Sequence, residues 1–245
     1  AMHGHGLATL ALAEAYGMSH DRELEIGTAL VAAVQCIERA QALEGGWYYT
    51  PRATSEHEGS VTVCLVQALR AAKDAGVHVD AIRIANAVQY LKRLQQENGA
   101  FAYGLGLPDK TSAALTAAGL ATLHATGVYA GHEVDDAYDW LWRELAKREE
   151  AQAVGDRSFD ARHSYYERFY LAQALWQNPA EGLFESWYEK EKQAVLRAQN
   201  ANGSWSDRAA GGGRDRDDGF GSSYSTAMNC LFLALPDGLL PIFQR

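Results

Sequence analysis

The sequence is poor in most features that mark a membrane or nucleic-acid protein. No stretch approaches the ~18 consecutive apolar residues of a membrane span, and no charged segment followed by an apolar one marks a signal peptide at the N-terminus. Basic residues are outnumbered, 22 Lys and Arg against 31 Asp and Glu, for a net charge of −9. A nucleic-acid footprint needs a basic face, so that partner class is excluded. Cysteines number only three, Cys36, Cys64 and Cys230, and none stands in a CxxC pair. Each lies in an apolar helical run and reads as a reduced core thiol, so no metal site is expected. There are five prolines, and few stretches alternate apolar with polar residues for long enough to be strands. An all-α fold follows. Neither a cofactor nor a compartment is indicated.

What is present is a repeat. The 245 residues, 47% apolar and 22% charged, suit one large folded domain or two small ones. Three segments share the pattern Q-x3-G-x-(W/F): Gln41, Gly45 and Trp47; Gln95, Gly99 and Phe101; Gln199, Gly203 and Trp205. The glutamines are 54 and 104 residues apart, so the unit is about 52 residues. A fourth copy is due near residue 147, where Lys147-Arg-Glu-Glu-Ala151 shows none.

Each copy follows an amphipathic helix, Ala29–Ala40, Ile82–Leu94 or Tyr188–Ala198. The Gly supplies the left-handed residue that ends a helix, and the Gln serves backbone groups left without partners. The aromatic folds back as a seal, which makes the motif a structural corner. Between the corners lie helices rich in small residues: 6–16, 59–75, 112–126, 165–177 and 222–235. Ala113, Ala114, Ala117, Ala118, Gly119 and Ala121 make one of them small nearly all round, so it is expected to be buried on every side. Buried and half-exposed helices thus alternate, and hairpins of this kind stack into a solenoid or close into a ring. Crowding by small residues favours the ring, an α/α toroid of four to five repeats spanning 1–245 as one domain. A full ring of about six hairpins would need roughly 312 residues, so the ring is incomplete or a longer chain supplies the rest. Ala1 ahead of Met2 reads as a cloning remnant, consistent with the C-terminal part of a longer chain.

Corners of this form at this period resemble the prenyltransferase/squalene-oxidase repeat family, which includes squalene–hopene cyclases and protein prenyltransferase β subunits. The string from His3 to Gly17, the segment Gly45-Gly-Trp-Tyr-Tyr-Thr-Pro51 and Tyr224-Ser-Thr-Ala-Met228 look like a bacterial branch of these proteins. The resemblance implies an α/α toroid with a central cavity, and does not by itself imply catalysis. The family's cyclases protonate an alkene from a D-x-D-D string. Here Glu133-Val-Asp135-Asp136 is similar, but it opens an outer helix, where acidic residues suit the helix dipole. The D-x-C of the prenyltransferase zinc site does not occur, and neither does the C-G-E-Q thioester string.

In a toroid the inner helices begin at one mouth of the cavity, which makes residues at their starts the binding candidates. These are His3, His5, His57, Glu58, Thr111, His163, Tyr165, Tyr166 and Tyr224, with Lys110 beside them. Aromatic rings there suit an isoprenoid chain, and the helix N-termini suit an anion such as a diphosphate. The expected function is a cyclase- or prenyltransferase-like repeat domain binding an apolar or isoprenoid-type ligand. The alternative is a non-catalytic scaffold or peptide- or glycan-binding module of a larger protein, with self-association or an upstream domain of the same protein as partner. A weaker reading, lyase or hydrolase chemistry, would draw on Tyr166, His163 and Arg168. The loop 206–221, with Asp215, Asp217 and Asp218, reads as a surface loop over the mouth.

Overall fold

A computed structural model describes residues 1–19, 24–156, 163–178, 180–206 and 221–238. The loop read as covering the mouth lies almost wholly outside them. Among the described residues the protein is all-helical. The helices are α1 (Met2–Met18), α2 (Leu24–Ala40), α3 (Gly59–Asp74), α4 (Ala81–Leu94), α5 (Ala113–Ala125), α6 (His132–Ala153), α7 (Ser164–Gln177), α8 (Leu183–Arg197) and α9 (Gly221–Ala234). A 3-10 turn, Leu235–Asp237, follows.

The odd-numbered helices form an inner row in chain order, α1 on α3, α3 on α5, α5 on α7 and α7 on α9. Each even-numbered helix packs outside the inner helix before it. The row curls, as two contacts show. Gln67 of α3 donates to Gln173 of α7 across 2.8 Å, and the His3 ring of α1 lies 6.4 Å from that of Tyr166 of α7. This packing is that of a helical toroid. The two ends of the row, α1 and α9, do not pack on each other as the interior neighbours do.

Composition explains the layering. In α3 and α5 nearly every residue is buried, as their small side chains predict. Gly6 brings α1 close to α3, since a Cβ there would stand 2.7 Å from the Cys64 sulfur. Two hydrophobic clusters meet along α3 and α4. Val61, Leu65 and Leu69 serve the first. Val63, Tyr90, Leu91 and Leu94 serve the second. Where the fourth corner is due, α6 runs on to Ala153, having no glycine to stop it before Gly155 at φ +77°.

The corners form as the pattern requires. Gly45, Gly99 and Gly203 have φ of +96°, +94° and +83°. The indole N–H of Trp47 donates to the Ile37 carbonyl at 2.7 Å, and that of Trp205 to the Val195 carbonyl at 2.8 Å. One device escaped the sequence reading. The backbone N–H of each corner aromatic donates to a threonine in the next inner helix: Trp47 to Thr62, Phe101 to Thr116 and Trp205 to Thr226. These threonines stand 15, 15 and 21 residues after the aromatic, a spacing that could have extended the motif. The cysteines follow expectation only in part: all three are free thiols, but Cys64 is buried and Cys230 is exposed.

Candidate functional site

The inner-helix starts bring together a group of rings around one carboxyl. Glu58 is wholly buried at the N-terminus of α3, where its side chain accepts from the Ser60 and Val61 backbone N–H groups, each at 2.8 Å. The Ser60 hydroxyl donates to it as well, at 2.9 Å. An acidic residue caps a helix N-terminus well, satisfying N–H groups that otherwise lack partners. Burial pushes the Glu58 pKa up, against the pull of the bonds from Ser60, Val61 and the Tyr49 hydroxyl.

The rings around it come from four parts of the chain. Tyr49 and Tyr103 each stand two residues after a corner aromatic, and their hydroxyls lie 3.0 Å apart. Tyr90 of α4 holds the Nδ1 of His57 at 2.9 Å. Tyr166 of α7 lies between His3 and Tyr170, its ring 4.5 Å from that of Tyr170. Burial raises the pKa of Tyr166, followed by Tyr170 and then the Glu58 charge, and burial followed by the Glu58 charge raises that of Tyr90. The Cys64 thiol, pushed up to about 12 for the same two reasons, is a poor nucleophile. Burial lowers the pKa of His3, which favours its neutral form.

One polar atom in this group stands out. The Tyr166 hydroxyl is buried and receives no well-formed hydrogen bond. The Tyr170 hydroxyl is close enough for Tyr166 to lower its pKa, yet burial still raises Tyr170 well above the ordinary tyrosine value.

The structure thus gathers His3, His57, Glu58 and Tyr166 in one neighbourhood. Tyr165 lies at its edge, its hydroxyl donating to the Ser206 carbonyl at 2.7 Å and its ring edge-on to Tyr224 at 6.4 Å. His163 caps α7 through its backbone, and Thr111 pairs with Ala102 in an isolated bridge. His5 is turned elsewhere: its Nε2 lies 3.1 Å from the Ala33 carbonyl, between α1 and α2. Arg168 also faces away, toward Glu191 at 3.2 Å and Asn229 at 3.3 Å, so the trio of Tyr166, His163 and Arg168 is not assembled. The acidic string behaves as a helix start, with Glu133 in the first turn of α6 and paired with Lys92 at 2.7 Å. Sequence reasoning missed Tyr49 and Tyr103, although their shared place two residues after the first two corner aromatics was a readable signal.

Among the described residues no cluster of three or more His, Cys, Asp or Glu is placed to hold a metal ion. No helix among them is long and apolar enough to cross a membrane. A separate open depression of about 370 Å³ lies near the far ends of α5 and α7, lined by Tyr129, Asn178, Glu181 and Glu185 among others. No protein-family model matches the sequence, and no curated protein matches it.

Proposed function

We propose that the chain is a toroid domain of the prenyltransferase/squalene-cyclase repeat type that binds an apolar or isoprenoid-type ligand at the tyrosine-lined mouth of its inner helices. The observation that carries this reading is the buried Tyr166 hydroxyl, which makes no well-formed hydrogen bond and leans on the Tyr170 hydroxyl, among the aromatic rings of His3, Phe169 and Tyr170. Leaving such a group poorly bonded costs up to about 1–3 kcal/mol. A ligand with an apolar body and one polar atom would recover that cost while burying its body against the rings. Catalysis is not part of the proposal. Of the buried carboxyls at the described inner-helix starts, Glu58 is occupied as a helix cap and Glu167 is paired with Arg148, and the Cys64 thiol stays protonated.

Thermal unfolding with farnesol, geranylgeraniol and farnesyl diphosphate tests the reading. A saturable rise in melting temperature with at least one of them is expected, since a ligand that binds only the folded state stabilises it. No shift with any of the three would overturn it.

The scaffold alternative draws on a different observation. The outward face of α1 leaves Leu7, Ala8, Ala11, Ala15 and Met18 exposed, an apolar stripe on an inner-row helix. Sedimentation across a concentration series tests it: a concentration-dependent dimer supports this reading, and a monomer throughout removes self-association from it.

A further inference from the structure

We propose that Glu58 selects the head group of the ligand: the mouth takes an uncharged or cationic hydrogen-bond donor, an alcohol or protonated amine, and turns away a phosphate or diphosphate. The inference rests on the mouth being the ligand site and names the chemistry that site accepts.

A helix N-terminus is a ready anion site because its first N–H groups are free and its dipole is positive there. At α3 those groups are already taken, by the protein's own carboxylate. At α5 the Ser112 hydroxyl caps the helix by accepting from the Leu115 N–H at 3.2 Å. Two leading donors at α3 and one at α5 are thus engaged, and α3 holds a buried carboxyl.

The cations nearby are committed elsewhere or point to solvent. Among the described residues, Lys92 is paired with Glu133, Arg148 with Glu167 and Arg168 with Glu191. Arg52, Arg93 and Lys110 are exposed, although Arg93 is close enough for its charge to pull the Tyr90 pKa down. The inward polar groups are phenol hydroxyls, the His3 ring and the Glu58 carboxyl. Hydroxyls that give and accept hydrogen bonds suit an alcohol, and a carboxylate suits an ammonium. A diphosphate brought here would meet a like charge wherever Glu58 is ionised, in a weakly screened environment, and among the described residues the arginines named above are paired or exposed.

Direct titration of the protein with farnesol, farnesylamine and farnesyl diphosphate, below their aggregation concentrations, tests the inference. Farnesol or farnesylamine is expected to bind at least about tenfold more tightly than the diphosphate. Glu58→Gln keeps an acceptor for the α3 cap and removes the charge, so it should shrink that gap to under about threefold. If this variant fails to fold, Tyr49→Phe with Tyr103→Phe serves instead, weakening the alcohol several-fold and leaving the diphosphate unchanged. Diphosphate binding as tight as the alcohol in the unmodified protein, or a gap that survives Glu58→Gln in a folded variant, overturns the inference and leaves the ligand reading standing. Silence from all three probes overturns both.

Discussion

The side-chain amide of Gln41 donates to the Gly45 carbonyl of its own corner and to the Arg83 carbonyl of α4, each at 2.8 Å. The corner is therefore also a tie between consecutive outer helices. Gln95 repeats it, reaching Gly99 at 3.2 Å and Glu133 of α6 at 2.7 Å. Gln199 reaches the Gly203 carbonyl at 2.8 Å and is exposed.

That difference sets an order for the glutamines. Gln41→Ala and Gln95→Ala should each cost about 1–3 kcal/mol, the loss of two bonds with carbonyls left unmet. Gln199→Ala should cost under about 1 kcal/mol, because water can replace its amide. Urea unfolding of the three variants checks the order, and equal losses would refute the tie.

The glycines give a second, independent order. A Cβ on Gly45 would stand 2.4 Å from the Asn86 carbonyl oxygen, and one on Gly99 2.0 Å from that of Asp136. A Cβ on Gly203 meets nothing within 4 Å. Gly203→Ala should therefore cost only the left-handed strain, about 1–2 kcal/mol. Gly45→Ala and Gly99→Ala add a backbone collision and should lose clearly more. Melting temperatures of the three variants decide the matter.

Trp47 and Trp205 bury their rings and bond their indoles to the helix end they seal. Either one changed to Ala should destabilise by about 3–5 kcal/mol. An unchanged melting temperature for Trp205→Ala would show that the corner is not a seal.

Glu58 makes a pH prediction whose sign is fixed by its raised pKa. The folded state holds this proton more tightly than the unfolded chain, so the contribution favours folding at low pH. It is lost as pH rises from the ordinary carboxylate value, 4.5, through the higher folded value. The stability difference between the wild-type protein and Glu58→Gln should therefore shift against the wild type across that window and level off above it. A difference that moves the other way between pH 4 and 7, followed by urea midpoints, contradicts the burial of this carboxyl.

Much of this was legible because the repeat is a geometric device. A glycine that must be left-handed and an aromatic that must seal a helix end leave a strict spacing, so the corners and the alternation of helices could be read directly. The mouth was legible only in outline. Its position was read from where inner helices begin, and the structure gathers His3, His57, Glu58 and Tyr166 in one neighbourhood there. Direction does not follow from position. His5, two residues from His3 on the same helix, points at α2, and Arg168, two from Tyr166, points at α8 and α9. Tyr49 and Tyr103 were overlooked because they sit in loops, where no helical period marks an inward face. Cys230 was misjudged because α9 is the last inner helix, and among the described residues it packs on one inner neighbour, α7, with Cys230 exposed.

The ligand reading turns on one hydroxyl, and a single atom's removal tests it. Tyr166→Phe should raise the melting temperature of the unliganded protein by about 2–4 °C, the equivalent of roughly 1 kcal/mol for a chain of this size. It should also reduce the rise produced by the bound isoprenoid, because the polar contact is gone. A lower melting temperature without ligand would mean that the hydroxyl is already well bonded in the empty protein, and the proposed site would lose its support.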